Sequence, residues 1–381
     1  MAIYLDNAAT SFPKPDAVCE AVGWTLKNAG GNPGRGGHGF SLEAGRVLFE
    51  ARETVARFFG VADSERIALL SSATEAINLA LFGWLRPGDR VLTTRMEHNA
   101  VSRPLNALAD RGVQVVRLPC DADGRLSLDA LRREAGVGAR LMVLCHCSNV
   151  TGTLQPLEEI VDICNRYRIP VLVDAAQSAG HFPLDIGRLG VDMLAAPGHK
   201  GLLGPAGTGF LYLRPGIELQ PLIYGGTGIN STAKQMPEQM PERFEAGTRN
   251  VPGLAGLAAG IRYLETAGPQ LVEARLSALT GQLLEGLAGI GGVKVFGPGP
   301  EEKRGSVVSF VVEGRDPAEF AFRLDREFAI CCRAGLHCAP DAHRTIGSYP
   351  EGTVRLSPGP LTTQDEIGQA LEAVRALARI R

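Results

Sequence analysis

Between residues 66 and 213, short unbroken apolar runs alternate with helical patterns, and this alternation leaves few folds open. The runs are Ile67–Leu70, Arg90–Thr93, Val113–Leu118, Leu141–Cys145, Val171–Val173 and Met193–Ala196. Helical patterns such as Ala76–Leu85, Ser102–Arg111 and Leu157–Tyr167 separate several of them. Continuous apolar runs mark strands covered on both faces, and intervening helices provide the cover. The expectation is an α/β fold: a mostly parallel sheet sandwiched by helices. Gly209–Leu213, after a Gly/Pro-rich turn, is expected to add an antiparallel strand.

The flanks differ. Ala17–Leu26 and Leu42–Phe59 read as amphipathic helices around a Gly-rich loop, Asn28–Gly39. From about residue 253 the pattern becomes α+β. Helices Gly253–Thr266 and Gln270–Leu287 precede strands Val293–Phe296 and Val307–Val312, helix Pro317–Phe328, strand Thr353–Leu356 and helix Gln364–Ala378. A chain of 381 residues suits a large domain plus a smaller one. The division predicted here is 15–252 and 253–381, with residues 1–14 packing near the ligand site.

A net charge of −2 provides no basic field for nucleic acid or an anionic membrane. No apolar run reaches the roughly 18 residues a membrane span needs. The N-terminus lacks a basic segment followed by an apolar one, so the expected location is cytoplasmic. Eight cysteines are too few for a disulfide scaffold and are expected as thiols. Cys145-His146-Cys147 and Cys331-Cys332 with His337-Cys338 match no common zinc spacing, so no metal is expected.

Lysine is scarce, with six against 33 arginines. Five of the six lie in polar or loop-like contexts, and Lys200 does not. Ligands of parallel sheets bind beyond the carboxyl ends of the strands. Polar residues collect at those ends: Ser71-Ser72-Ala73-Thr74-Glu75, Glu97-His98-Asn99, His146-Cys147-Ser148-Asn149, Asp174-Ala175-Ala176-Gln177 and Gly198-His199-Lys200. Each has a reason to serve pyridoxal phosphate. Lys200 would form the Schiff base. Asp174 would keep the pyridine nitrogen protonated, which makes the ring an electron sink. His98 would stack on the ring and move protons, and Gln177 and Asn149 would bond the ring oxygen. The N–H groups of Ala73 and Thr74, the Thr74 hydroxyl and His199 would hold the phosphate at a helix N-terminus, where Ser72 and Glu75 fit a capping box.

Ordered motifs extend this pattern along the chain: Tyr4-Leu5-Asp6-Asn7-Ala8-Ala9-Thr10, Ala73-Thr74-Glu75-Ala76-Ile77-Asn78, Glu97-His98-Asn99, Ser148-Asn149-Val150-Thr151-Gly152, Val173-Asp174-Ala175-Ala176-Gln177, Gly198-His199-Lys200, Phe244-Glu245-Ala246-Gly247-Thr248 and Arg333-Ala334-Gly335-Leu336-His337-Cys338-Ala339. With them the chain resembles fold-type I pyridoxal-phosphate enzymes of the class V aminotransferase group, and within it NifS/SufS-like cysteine desulfurases and selenocysteine lyases. The resemblance implies that Arg355 clamps the substrate carboxylate and that Asn7, Ala8 and His38 line the substrate pocket; Arg333 is expected to bind substrate as well. It implies that Thr248 reaches the cofactor phosphate of a neighbouring subunit in a homodimer, and that Cys338 accepts sulfur. One departure is plain. Relatives usually carry Ser or Thr three residues before the lysine, and here that residue is Pro197, which has no hydroxyl. Leu336 stands where many relatives have histidine.

Cys338 lies in a Gly-containing loop with Arg333 and His337 as expected cationic neighbours, and positive neighbours favour the reactive thiolate. The reaction implied is conversion of L-cysteine to L-alanine, with the sulfur left on Cys338 as a persulfide; whether an acceptor protein then takes sulfur or selenium from it is left open. The alternatives are a selenocysteine lyase acting on L-selenocysteine and, from another class, a metal-binding or sulfur-carrier protein.

Overall fold

The computed structural model describes residues 2–34, 36–229 and 232–379. Met1 of the N-terminal segment and Arg35 of the Gly-rich loop lie outside the described residues. The chain opens with strand β1 (Ile3–Tyr4) and helices α1 (Asp16–Asn28) and α2 (Gly39–Phe58). The alternating region follows: β2 (Ile67–Leu70), α3 (Ala73–Trp84), β3 (Arg90–Thr94), α4 (Asn99–Ala109), β4 (Gln114–Leu118), α5 (Leu128–Val137), β5 (Leu141–Cys145), α6 (Leu157–Arg166), β6 (Val171–Asp174), α7 (Ile186–Leu189), β7 (Met193–Pro197) and β8 (Gly209–Leu213). The remainder comprises α8 (Val251–Ala267), α9 (Pro269–Ala288), β9 (Val293–Phe296), β10 (Val308–Val312), α10 (Pro317–Phe328), β11 (Ile330–Cys331), β12 (Arg333–Gly335), α11 (Pro340–Ile346), β13 (Thr353–Leu356) and α12 (Gln364–Arg379).

Seven strands form the main sheet in the order β2-β8-β7-β6-β5-β3-β4. The pairs β7-β6, β6-β5, β5-β3 and β3-β4 are parallel, and β8 runs antiparallel to both its neighbours, as its position after the Gly/Pro turn led one to expect. Side chains alternate across the sheet. Val171 and Val173 enter one core with α2, α6 and α8, while Leu172 enters another with α3 and α4. Met142 and Leu144 follow the first, and Leu141 and Val143 the second. Burial on both faces explains why these strands read as unbroken apolar runs.

A four-stranded antiparallel sheet, β12-β13-β10-β9, packs on α9, α10 and α12 to form a third core. Strand β1 pairs with β11, and Ile3 and Leu5 join this core. The first strand of the chain is thus built into its last third. Strands β1, β11 and β12 span only two or three residues each, too short to show a period in the sequence. Residue 253 falls inside α8, whose Leu254, Leu257, Ile261 and Leu264 belong to the core of the main sheet. Helix α9 serves both units: Val272 and Leu276 face the main-sheet core, and Leu279, Leu283, Leu284 and Leu287 the third. We propose that the two domains divide within α9.

Candidate active site

Strands β2, β3, β5, β6 and β7 end at one edge of the sheet, and their following residues wall a cavity of about 170 Å³. Ser72, Ala73, Thr74, His98, Cys145, Asn149, Asp174, Gln177, Pro197, His199 and Lys200 line it. Of the nine residues predicted from the sequence to hold the cofactor, eight therefore converge here: Lys200, Asp174, Gln177, His98, Asn149, Ala73, Thr74 and His199. Cys145, at the end of β5, is a wall residue that sequence reasoning passed over. Its thiol donates to the Cys147 carbonyl at 2.9 Å.

Lys200 sits on the loop after β7. Burial pushes its amine down to about 8, with Asp174 opposing and Arg355 adding to the shift. Asp174 closes β6, and burial raises its carboxyl above the ordinary range, opposed by the N–H of Ala176, which donates to Oδ1 at 2.9 Å, and by Lys200. His98 caps α4 by accepting from Ala100 N at 3.0 Å through Nδ1. Burial, then Lys200, holds the ring down to about 4, so it is neutral at physiological pH with its proton on Nε2. The preceding residue, Glu97, is buried, accepts from Thr94 Oγ1 at 2.6 Å, and is pushed up to about 8 by burial.

The wall at α3 is built by its cap. Ser72 Oγ accepts from Glu75 N at 3.1 Å, while the Glu75 carboxylate reaches back to Ser71 N at 2.8 Å. The N–H groups of Ala73 and Thr74 have no acceptor among the described residues. Two other polar atoms of the wall are buried and unpartnered among the described residues, Asn149 Oδ1 and His199 Nδ1. Gln177 Nε2 donates to the Ala8 carbonyl at 2.9 Å.

Above this wall lies the Cys338 loop, between β12 and α11. Arg333 Nη2 stands 3.3 Å from Cys338 Sγ. His337 and Cys338 both adopt left-handed backbone, with φ 48° and 61°. Such conformations are uncommon outside glycine and mark backbone held by its surroundings. Two asparagines hold this one: Asn99 N donates to the Cys338 carbonyl at 2.8 Å, and Asn149 Nδ2 to the His337 carbonyl at 2.6 Å. His337 does not play the cationic part expected of it. Burial pushes its ring well below 6.5, and Nε2 pairs with Thr353 Oγ1 at 3.0 Å.

Arg355, on β13, is completely buried. Its guanidinium donates to Asp6 Oδ1 at 2.7 Å and to the Asn149 carbonyl at 3.1 Å, leaving Nε unpartnered among the described residues. Asp6 is a second residue that motif reading quoted without assigning a role. Asn7 spends its amide on the Ser357 carbonyl at 3.1 Å and on Phe12 N at 3.2 Å, and Ala8 N bonds Ser357 Oγ at 3.0 Å. Both residues are tied to Ser357, after β13, and neither lines the Lys200 cavity. His38 is exposed, caps α2 through Ser41 N at 3.3 Å, and does not line the Lys200 cavity. Thr248 is likewise exposed, with Asn32 Nδ2 at 3.4 Å. Within one chain, neither joins the site. No group of three or more His, Cys, Asp or Glu among the described residues is placed to hold a metal ion.

The class-V aminotransferase profile matches residues 3–370. The chain belongs to the class-V aminotransferase family. Its relatives within that family include a probable cysteine desulfurase from Methanothermobacter thermautotrophicus, 36% identical over 98% of this chain and 95% of the relative. A probable cysteine desulfurase from Mycolicibacterium paratuberculosis is also 36% identical, and this chain spans 55% of its length. Among solved structures, the apo cysteine desulfurase from Thermococcus onnurineus NA1 superposes with a TM-score of 0.93 at 35% identity, covering 99% of this chain and 95% of that one. The cysteine desulfurase CsdA from Escherichia coli, in an S-sulfonic acid form, gives 0.88 at 30% identity over 99% and 94%.

Members of the class-V aminotransferase family depend on pyridoxal phosphate. The cavity residues fit that group. A desolvated amine, a buried carboxylate and a neutral imidazole face one space, and free N–H groups at the start of α3 suit an anion. The unpartnered Asn149 Oδ1 and His199 Nδ1 would gain partners from it. Pro197 lines the same cavity without a hydroxyl, so the phosphate end would fall to Ala73, Thr74 and His199.

Proposed function

We propose that this chain is a cysteine desulfurase that converts L-cysteine to L-alanine and receives the sulfur on Cys338. Pyridoxal phosphate, when bound, supplies the electron sink that makes the α-proton of an amino acid removable. Lys200 would hold the cofactor, and its Nζ would take that proton. An amine held down to about 8 is poised for this exchange near neutral pH. Asp174 would supply the buried carboxylate that keeps the pyridine nitrogen protonated, and His98 would offer Nε2–H from the cavity wall. Arg355 orients the substrate carboxylate. Cys338 Sγ, beside the Arg333 guanidinium, attacks the substrate sulfur. An S–S bond forms and the substrate C–S bond breaks. Its electron pair stays with the three-carbon skeleton, which takes up one proton at Cβ and regains one at Cα before it leaves as alanine.

The observation that carries this reading is the union of the two nucleophiles. Asn149 walls the Lys200 cavity and bonds the residue before Cys338, and Asn99, beside His98, bonds Cys338 itself. Similar proteins bear the cysteine desulfurase description, so selenocysteine is the less favoured substrate. A homodimer is supported by Thr248, exposed and outside its own cavity, and by exposed Trp24, Phe40, Phe49 and Tyr224. The persulfide is expected to leave to an acceptor protein or thiol. A cytoplasmic site of action would keep Cys338 reduced; no helix among the described residues is long and apolar enough to cross a membrane.

The test is to load purified protein with pyridoxal phosphate, record its visible absorbance, and assay alanine and persulfide formation. L-Cysteine is expected to yield both products stoichiometrically. Alanine from L-selenocysteine alone would overturn the substrate assignment.

A further inference from the structure

The His199 carbonyl, one peptide before Lys200, is gripped by four donors. Ser11 N lies at 3.0 Å, and Ser11 Oγ, Thr10 Oγ1 and Lys14 Nζ each lie at 3.1 Å. Lys14 Nζ also donates to Ser11 Oγ at 2.6 Å. A carbonyl oxygen has two lone pairs, so this acceptor is saturated. Three of the four donors come from side chains, all on the N-terminal segment.

Gly198 and Gly201 flank the His199–Lys200 pair, each packed so closely that a Cβ would collide with Thr208 or with the Ala179 carbonyl. The loop's own restraints are Gly198 N to Thr208 O at 2.8 Å, Leu203 N to Lys200 O at 2.9 Å and Gly204 N to Gly198 O at 2.8 Å. None of these touches the peptide between His199 and Lys200. Lys14 is half-buried, and burial holds its amine down to about 8. An ammonium withdrawn from water and aimed at a carbonyl makes a charge-assisted bond, stronger than a neutral one. The same segment reaches the rest of the site: Asp6 pairs with Arg355, and the Ala8 carbonyl takes Gln177 Nε2.

We propose that Lys14 is a positioning residue for Lys200. Through the His199 carbonyl it fixes the peptide plane from which the Lys200 side chain enters the cavity. This rests on Lys200 being the residue that captures the cofactor. Lys14 does not line the cavity, so it acts through the backbone and not by contact with the reacting atoms.

Lys14→Met, Lys14→Arg and Ser11→Ala test it. The readouts are the rate at which the apoprotein captures free pyridoxal phosphate, followed by absorbance, then kcat and KM for L-cysteine in the loaded enzyme, and the melting temperature. Lys14→Met is expected to slow capture and lower kcat by about tenfold each, with KM within about twofold, the loss of one charge-assisted bond that orients a reacting group. Lys14→Arg, which keeps a charged donor, is expected to restore both to within about threefold of wild type. Ser11→Ala is expected to fall between them. Wild-type capture in Lys14→Met overturns the proposal. So does an equal loss in Lys14→Met and Lys14→Arg, which would mark a merely structural residue. The wild-type arm separates the two layers: normal capture by wild type with no effect of Lys14→Met sinks only the Lys14 role, whereas no capture by wild type sinks the cofactor reading itself.

Discussion

The Lys200 cavity and the Cys338 loop meet at Asn149 but are built differently. The cavity takes its residues from the ends of five sheet strands, whose apolar neighbours are buried on both faces. Its groups owe their altered basicity first to burial: Lys200 near 8, His98 and His199 near 4, Asp174 above the ordinary carboxylate range. The Cys338 loop instead leaves β12, an edge strand of the smaller sheet. Two successive left-handed residues are held by Asn99 and Asn149, and Arg333 Nη2 stands 3.3 Å from the thiol. The first region shapes reactivity by removing water. The second does it by pinning one atom where the first can deliver substrate.

Separating the two regions by mutation sharpens that contrast. Lys200→Ala should abolish the visible absorbance of bound cofactor and lower alanine formation by at least about 10³-fold. A surviving absorbance band would mean the cavity does not work through its lysine. Cys338→Ala should leave that band intact and lower alanine formation from L-cysteine by about 100-fold. Normal alanine release would detach the loop from the chemistry. Arg333→Met, which retains bulk but not charge, should lower kcat by about tenfold with the cofactor band unchanged. An effect confined to KM would assign Arg333 to substrate binding instead.

The smallest effect concerns pH and the burial on which the cavity depends. Burial is the leading cause that holds His98, His146, His181, His199 and His343 down to about 4, against 6.5. As pH falls from 6.5 towards 4 the unfolded chain takes up protons that the folded chain refuses. Stability is therefore complete above about 6.5 and lost progressively below it, by of the order of 1 kcal/mol per ring. Urea unfolding of the apoprotein at several pH values should show this decline. A flat profile between 6.5 and 4.5 would argue that these rings are solvated.

The cavity was legible in the sequence because the fold gathers strand ends automatically. Once the runs around Leu141–Cys145 and Val171–Val173 are read as parallel strands, Asn149 and Asp174 must be neighbours. The loop was legible only through motif resemblance, since nothing in local pattern places residue 338 against residue 99. His337 shows the limit: a histidine beside a cysteine reads as a cation until its burial and its bond to Thr353 are known. Lys14 and Asp6 escaped for a related reason. Their partners, His199 and Arg355, lie more than 180 and nearly 350 residues away, at separations of 185 and 349. The third core was read correctly as α+β, but not its use of Ile3 and Leu5, because two-residue strands carry no period.

Helix α9 carries a further consequence. Its first turns are rooted in one core and its later turns in another, along one unbroken run of backbone hydrogen bonds. Melting either unit would strip half the apolar face from a rod that the other still needs. The N-terminal strand adds a second tether, since Ile3 and Leu5 sit in the distant core while Ser11 and Lys14 grip the loop of the main sheet. The protein is thus expected to unfold in a single cooperative step, without a surviving half-molecule.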